Sequence, residues 1–196
     1  MVMGKTSRIG NPQNIVFLHD LLSDTQLSAI NEFCVSATHW KSSSYDGSKD
    51  MGIGVPNDGS LVATSLFGAT QIIQKSIEKH FGRELSTQYP NIRKWESGDS
   101  QPLHADGEDL EGKPNEAYPV DYASVIYLND DYDGGELCFP LQGIRFKPIA
   151  GTAAFFPANR WYRHSVSEIS DGTRYTSPQF WVPVKHLKLK EFYAKR

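Results

Sequence analysis

Short β-prone segments separated by turn residues fill the second half of this sequence, and they constrain its fold more than any other feature. The pattern begins near Asn91, and its strand candidates lie at 123–128, 136–139, 143–146, 152–156, 164–166 and 175–184. Asp-Gly-Gly at 133–135 is a turn signal that predicts a hairpin between the first two candidates. The 12% aromatic residues and 11 prolines also favour a β-rich fold with many turns. Because the helical segments are gathered at the front, we expect a β-sandwich or barrel backed by helices.

The first 90 residues predict the helical support of this barrel. Ser23 and Gln26 have the spacing of a capping box, so we expect a helix that continues to about Val35. Apolar residues recur at helical spacing over 72–81, which predicts a second helix that ends near Gly82.

The remaining segments complete the predicted architecture. The apolar run 15–18 is a strand candidate, residues 42–60 are rich in Ser, Gly and Asp and are expected to form a loop, and 186–192 is expected to be a short terminal helix. A chain of 196 residues has the usual length of one domain. We therefore predict a single domain over 1–196, with helical support over about 1–90 and a β-barrel core over about 91–185.

Composition and charge exclude several classes of function. The net charge of −3 argues against a non-specific nucleic-acid partner. No apolar run approaches the roughly 18–20 residues that span a bilayer, so no membrane partner is expected, and the first ten residues lack the apolar core of a secretion signal. The two cysteines, Cys34 and Cys138, lie far apart and outside any CxxC motif. They exclude a disulfide framework and a cysteine zinc site, and they favour a cytoplasmic location.

His104 and Asp106 are the first candidates for chemistry. Residues two apart on a strand point to the same face, so this imidazole and this carboxylate can bind one metal ion. His164, from a distant strand, would complete a set of two histidines and one carboxylate, the facial triad of non-haem Fe(II) oxygenases. Roughly 0.4 His-x-Asp pairs are expected by chance in such a chain, so this motif alone is weak.

Arg174 follows His164 by ten residues, on a second strand candidate. A basic residue at this spacing from a histidine is expected about 0.6 times by chance, so it is also weak alone. The order of the motifs gives them weight, because the His-x-Asp pair follows a loop and the His and Arg pair lies on two strand-like segments.

Several motifs in this order resemble the prolyl 4-hydroxylase-like branch of the 2-oxoglutarate/Fe(II)-dependent dioxygenases. The resemblance runs from about Lys94 to Trp181, a little under half of the chain. It is carried by His104-Ala105-Asp106, Tyr127-Leu128-Asn129, Gly134-Gly135-Glu136 with Phe139-Pro140, Gly151 before a strand of small and aromatic residues, His164 and Arg174.

This resemblance implies a fold and a set of functional residues. The fold would be a double-stranded β-helix, the jelly-roll or cupin-like barrel, backed by N-terminal helices. His104, Asp106 and His164 would be the catalytic iron ligands. Arg174 would form a bidentate pair with the distal carboxylate of 2-oxoglutarate, and Tyr127 would donate its hydroxyl to the same group. The cofactors would be Fe(II), 2-oxoglutarate and O2, with ascorbate as a further candidate.

The sequence departs from the family pattern at three places. Trp95 stands where the family usually has a tyrosine, and it is our third candidate for cosubstrate binding, although an indole donates and cannot accept a hydrogen bond. The family's Gly-Gln pair is Gly98-Asp99 here. Pro178 interrupts a strand that is usually continuous.

The implied reaction is hydroxylation of a C–H bond, with release of succinate and CO2. The resemblance implies a prolyl or other residue in a peptide or protein as the substrate, and a free amino acid or small molecule is the alternative. Residues 42–60 and 107–119 could form a lid or groove, and the second segment is acidic, which favours a basic or neutral substrate. Two other classes stay open: a different metalloenzyme on a similar barrel, such as a cupin-like isomerase or a zinc protein, and a non-catalytic sugar- or peptide-binding β-sandwich.

Overall fold

The computed structural model describes residues 10–42, 51–87, 90–114 and 120–184. Within them lie two α-helices, α1 (Asp24–Ser36) and α2 (Leu61–Phe81), and 3-10 turns at Pro12–Asn14 and Arg160–Tyr162. The strands are β1 (Val16–Leu18), β2 (Lys41–Ser42), β3 (Met51–Gly54), β4 (Leu85–Thr87), β5 (Asn91–Glu96), β6 (Gln101–His104), β7 (Tyr122–Tyr127), β8 (Asp133–Gly134), β9 (Leu137–Phe139), β10 (Ile144–Phe146), β11 (Ala153–Pro157), β12 (His164–Val166), β13 (Ile169–Asp171) and β14 (Thr173–Pro183).

Both predicted helices are confirmed, with the ends that their capping residues indicate. The backbone N–H of Gln26 donates to Ser23 Oγ, and the backbone N–H of Ser23 donates to Gln26 Oε1 at 2.9 Å, so the capping box is formed. Helix α2 ends at Gly82, whose φ of 66° is the left-handed conformation that glycine tolerates best.

Two sheets of antiparallel strands form the body of the molecule. The large sheet has the order β1-β11-β7-β14-β5-β3-β2, with β4 also paired to β14, and the small sheet has the order β10-β9-β12-β6. Alternate residues of a strand point to opposite faces. On β7, Tyr127 therefore packs between the two sheets, whereas Ile126 packs under the helices. This is the mostly β barrel backed by helices that the sequence predicts.

The prediction of a loop over 42–60 is wrong in part. Residues Met51–Gly54 form β3, which pairs with both β2 and β5, so this segment extends the large sheet. The alternating glycines of β3 have low β propensity, and pairing with β5 outweighs it.

The predicted hairpin between 123–128 and 136–139 is also wrong. Strand β7 pairs with β11 and β14 in the large sheet, whereas β9 pairs with β10 and β12 in the small sheet. Both edges of β7 are therefore occupied, and the chain crosses from one sheet to the other over 128–136. We call residues 128–136 the crossing segment.

Pro178 does not interrupt its strand. Strand β14 continues through it, with Pro178 opposite Val125 of β7. The Tyr175 carbonyl accepts a hydrogen bond from the backbone N–H of Leu128, which follows β7. In this part of β14, the backbone N–H and C=O groups of the odd-numbered residues therefore point toward β7. Pro178 faces the other side, between the stretches that pair with β5 and with β4. A missing N–H is tolerated there because no ladder bond is required.

The terminal helix predicted over 186–192 lies outside the described residues. Among the helices that are described, none is both long and apolar enough to cross a membrane.

Candidate active site

Strands β6 and β12 bring two distant histidines together. His104 and His164 are register partners across these strands, and their ring centroids lie 4.3 Å apart. Asp106 follows β6 and places one carboxylate oxygen 3.5 Å from His104 Nε2 and the other 3.7 Å from His164 Nε2. The three ligand atoms lie within 4.8 Å of one another, close enough to hold one metal ion.

Hydrogen bonds orient both imidazoles toward Asp106. His104 Nδ1 lies 2.9 Å from the carbonyl of Pro102, and His164 Nδ1 lies 3.1 Å from the carbonyl of Tyr162. A carbonyl only accepts, so each Nδ1 carries a proton, and each Nε2 lies on the side of the ring that faces Asp106. This arrangement is how proteins fix the tautomer of a metal-binding histidine.

Burial and charge set the protonation of two of the three groups. Burial lowers the pKa of His164 to about 4, so its imidazole is neutral at neutral pH. For Asp106, burial favours the protonated form, but the adjacent His164 and His104 outweigh it and hold the pKa of the carboxyl below its ordinary value. Two imidazoles and a carboxylate are a donor set that suits a divalent transition metal such as Fe(II).

A second group of polar side chains lies on the inner face of the large sheet. Arg174 of β14 is opposite Trp95 of β5 in the register. Its guanidinium carbon lies 5.2 Å from the Trp95 ring centroid and 5.5 Å from the Tyr127 ring centroid. Only 2% of Arg174 and none of Tyr127 is exposed. The structure thus brings these three predicted residues together.

These groups carry buried polar atoms that the protein itself does not satisfy. Within the described ranges, Arg174 Nε, Tyr127 Oη and Trp95 Nε1 find no acceptor for their hydrogens. An unsatisfied buried polar group costs roughly 1–3 kcal/mol, so several around one guanidinium require an explanation. Each N–H or O–H is a donor and the guanidinium is a cation, so an anion with several acceptor oxygens fits this pocket.

The two groups share one barrel interior. His164 packs edge-on against Phe156 at 4.7 Å and lies 5.4 Å from Phe139, between ring centroids. Both phenylalanines belong to the same buried cluster as Tyr127. The His-Asp-His cluster and the pocket around Arg174 therefore face the same barrel interior.

A family comparison agrees with this geometry. The model of the 2OG-Fe(II) oxygenase superfamily matches residues 89–182, a range that contains all six predicted site residues. The matched range is a little under half of the chain, and over it the chain is similar to this superfamily. This similarity favours an enzyme of this class over the zinc protein and the non-catalytic sandwich as interpretations.

Curated relatives of this chain include prolyl 3-hydroxylase 2 from two mammals. The mouse protein, from Mus musculus, is 31% identical over 87 residues, which cover 38% of this chain and 12% of that protein. The human protein, from Homo sapiens, is 30% identical over 87 residues, which again cover 38% of this chain and 12% of that protein. The chain thus spans only about an eighth of the length of these relatives.

Solved structures of prolyl hydroxylases share the fold. A viral collagen prolyl hydroxylase from Paramecium Bursaria Chlorella virus-1, in a 2OG complex, has a TM-score of 0.67 at 16% identity and covers 87% of this chain and 96% of its own. A prolyl-4-hydroxylase from Pseudomonas putida has a TM-score of 0.69 at 16% identity, with 87% and 92% covered. A prolyl hydroxylase from Trichoplax adhaerens, in complex with a hypoxia inducible factor peptide fragment, has a TM-score of 0.69 at 13% identity, with 91% and 87% covered. The chain therefore has the double-stranded β-helix fold of these solved structures.

Sequence reasoning missed one buried polar residue beside Arg174. Tyr132, in the crossing segment, is 5% exposed and packs with Trp95 and Ile169. Its hydroxyl, like that of Tyr127, is buried near Arg174 and finds no acceptor for its proton in the described part of the chain. Its signal in the sequence is slight: it is the one aromatic residue in the otherwise acidic run 130–133.

Proposed function

We propose that this oxygenase hydroxylates a C–H bond of a prolyl or other residue in a peptide or protein. In the overall reaction one oxygen atom of O2 enters the substrate as a hydroxyl group. The other enters 2-oxoglutarate, which leaves as succinate and CO2. The observation that carries the proposal is the pairing, inside one barrel, of a His-Asp-His cluster with a guanidinium surrounded by unsatisfied donors.

His104, Asp106 and His164 are proposed to hold Fe(II). Two imidazole Nε2 atoms and an ionised carboxylate within 4.8 Å of one another fit that ion, as the distances above support. When bound, Fe(II) and 2-oxoglutarate supply the chemistry that activates O2. The protein contributes the orientation of its ligands and a buried surrounding.

Arg174, Tyr127 and Trp95 are proposed to hold 2-oxoglutarate. The planar guanidinium of Arg174 suits a bidentate pair with the distal carboxylate, and it supplies the positive charge that a buried anion requires. Burial raises the pKa of Tyr127 well above its ordinary range, although the charge of Arg174 opposes this, so its phenol stays protonated and donates. The indole of Trp95 can only donate, which also suits a carboxylate.

Aromatic walls are proposed to exclude water from the metal site. Phe139 and Phe156 flank His164 on the inner faces of the two sheets. A water-poor site strengthens the electrostatic contacts to a bound anion and limits side reactions.

A peptide substrate is supported by the neighbours and by the loop after Asp106. The Trichoplax neighbour is in complex with a peptide fragment. In this chain, Arg160 anchors residues 107–114: its backbone N–H donates to Glu108 Oε1 at 2.7 Å and its guanidinium donates to the carbonyl of Glu111 at 2.6 Å. An anchored acidic loop directly after Asp106 of the His-Asp-His cluster favours a peptide substrate with a basic or neutral segment. Of the predicted lid segments 42–60 and 107–119, residues 43–50 and 115–119 lie outside the described part of the chain.

Three further expectations belong to the proposal. We propose one oxygenase domain over 1–196, because α2 packs on the sheet that carries Arg174. A cytoplasmic location is supported by the free thiols of Cys34 and Cys138. Ascorbate as a reductant stays a prediction from the resemblance.

The first test measures succinate formed from 2-oxoglutarate under air with Fe(II). Wild type is compared with His104→Ala, Arg174→Ala and the matched control Arg145→Ala, whose side chain is 67% exposed and pairs with Glu136 on the surface. We expect no turnover in His104→Ala. Arg174→Ala should require about 100-fold more 2-oxoglutarate for half-maximal turnover, because it loses two charge-assisted hydrogen bonds. Arg145→Ala should resemble wild type.

The second test identifies the substrate class. Proline-containing peptides of differing charge and free amino acids are each added, and mass spectrometry records a gain of one oxygen atom. Stimulated turnover by a peptide but not by free amino acids supports the proposal, and the reverse supports the small-molecule alternative. Absence of both succinate and 2-oxoglutarate binding in wild type would overturn the reaction itself.

A further inference from the structure

We infer that Tyr132 is a further cosubstrate-binding residue, whose hydroxyl donates a hydrogen bond to the distal carboxylate of 2-oxoglutarate beside Arg174. The inference rests on the proposed function, since it assigns one more residue to the same pocket. It adds a second phenol to the guanidinium, the first phenol and the indole already described.

The position of Tyr132 supports this role. Its ring packs with Trp95 and Ile169 in a small buried cluster next to the guanidinium. A Cβ added at Gly135 would lie 2.8 Å from Tyr132 Cε2 and 3.0 Å from Arg174 Cδ, so both side chains press against one point of the backbone. The Tyr132 hydroxyl is buried there and finds no acceptor among the residues that the structure describes.

Asn129 holds Tyr132 and Arg174 in a fixed relation. Its amide nitrogen donates to Asp131 Oδ1 at 2.6 Å and to the carbonyl of Thr173 at 2.7 Å, and its oxygen accepts from the Tyr175 backbone N–H at 2.7 Å. Asn129 therefore binds the backbone on both sides of Arg174 and the residue before Tyr132. Such support from surrounding hydrogen bonds is what positions a binding group accurately.

Lys147 fixes the other side of Tyr132. Its ammonium donates to the Tyr132 carbonyl at 3.0 Å and lies 5.4 Å from the centre of the ring. The ring is thus held from two directions, and rotation of the hydroxyl is the main freedom left to it. A preorganised donor gains more from one hydrogen bond than a mobile one does.

The ionisation state of Tyr132 also suits a donor. Burial raises its pKa above the ordinary value, and the positive charge of Arg174 opposes the rise only in part. The phenol is therefore protonated at neutral pH, and a carboxylate is the acceptor that Arg174 attracts to this place.

The test removes one hydroxyl from the protein and one carboxylate from the ligand. Calorimetry measures the binding of 2-oxoglutarate and of 2-oxopentanoate, which has a methyl group in place of the distal carboxylate, to the Fe(II)-loaded protein without oxygen. Tyr132→Phe should weaken 2-oxoglutarate binding by about tenfold and leave 2-oxopentanoate binding unchanged. The matched control Tyr122→Phe, a buried tyrosine stacked on Phe81 under the helices, should change neither.

Each other outcome overturns the inference in a recognisable way. Equal weakening of both ligands would show that Tyr132 only supports the structure. Unchanged binding of 2-oxoglutarate in Tyr132→Phe, with normal binding and turnover in wild type, would reject the role of Tyr132 and leave the proposed function intact. If wild type binds no 2-oxoglutarate and forms no succinate, both the inference and the proposed function are wrong.

Discussion

Replacing Gly135 by alanine tests how far the pocket depends on a close approach of backbone to side chains. Gly135 has a φ of 64°, a left-handed conformation that disfavours a Cβ by about 1–2 kcal/mol. A Cβ there would also lie 2.6 Å from Ile169 Cδ1, 2.8 Å from Tyr132 Cε2 and 3.0 Å from Arg174 Cδ. Such short separations would force these side chains to move, and two of them are proposed ligands of 2-oxoglutarate.

Gly143 provides a matched control. Its φ is 66°, almost the same, but nothing lies within 4 Å of a Cβ built on it. Gly143→Ala should therefore lose only the backbone contribution, about 1–2 kcal/mol of unfolding free energy. Gly135→Ala should lose about 2–5 kcal/mol, because displacement of packed side chains adds about 1–3 kcal/mol.

Two measurements check this prediction. Urea unfolding gives the free energies, and calorimetry gives 2-oxoglutarate affinity at a temperature where both variants are folded. Affinity should fall by at least about tenfold in Gly135→Ala and stay unchanged in Gly143→Ala. Equal losses of stability together with equal affinities would refute the idea that contact at Gly135 shapes the pocket.

Three further predictions follow from individual contacts. Asn129→Ala loses hydrogen bonds to both neighbours of Arg174, so the 2-oxoglutarate concentration for half-maximal turnover should rise more than kcat falls; a fall in kcat alone would contradict this. In the folded protein the pKa of His164 is lowered from 6.5 to about 4, so the unfolded chain takes up a proton at higher pH than the folded protein does. The metal-free protein should therefore keep its stability above pH 6.5 and lose up to about 3 kcal/mol of unfolding free energy as the pH falls toward 4. Urea unfolding with a chelator measures this loss, and an unfolding free energy that does not change with pH would disprove it. Burial raises the pKa of Cys34 to about 12, so iodoacetamide at pH 8 should label the partly exposed Cys138 first and Cys34 only after unfolding, as peptide mass spectrometry would show.

Local signals in the sequence were sufficient for the helices and for the pairing of His104 with Asp106. The capping box at Ser23 and the glycine at 82 act within one turn of a helix, so their effects do not depend on the rest of the fold. His104 and Asp106 were expected to face one way from their spacing of two in a strand, and they do approach each other, although β6 ends at His104. The approach of His164 required the order of motifs as well, since β12 lies 60 residues further along the chain than its partner.

Strand partners and buried contacts could not be predicted in the same way. Whether β9 returns onto β7 depends on which strands already occupy the edges of β7, and residues 133–135 carry no information on that. The glycines of β3 were outweighed by pairing with β5, and Pro178 was tolerated because it faces a gap between β5 and β4. Tyr132 was missed because its acidic neighbours suggest a solvated turn, whereas its ring is buried.

The crossing segment explains why the error about the hairpin bears on function. His104, Asp106 and His164 lie on strands of the small sheet and on the residues that follow β6, whereas Arg174, Tyr127 and Trp95, which are proposed to bind the anion, lie on the large sheet. A hairpin would have placed β7 and β9 side by side in one sheet. The observed crossing instead sets them on facing sheets, so a ligand that binds both the metal and Arg174 must bridge the space between them. Residues 128–136 connect the sheets at that point and are themselves bonded to the backbone beside Arg174 through Asn129. The distance between the two halves of the site is therefore controlled by this segment, and changes within it should alter the binding of a bridging dicarboxylate more than the binding of the metal alone.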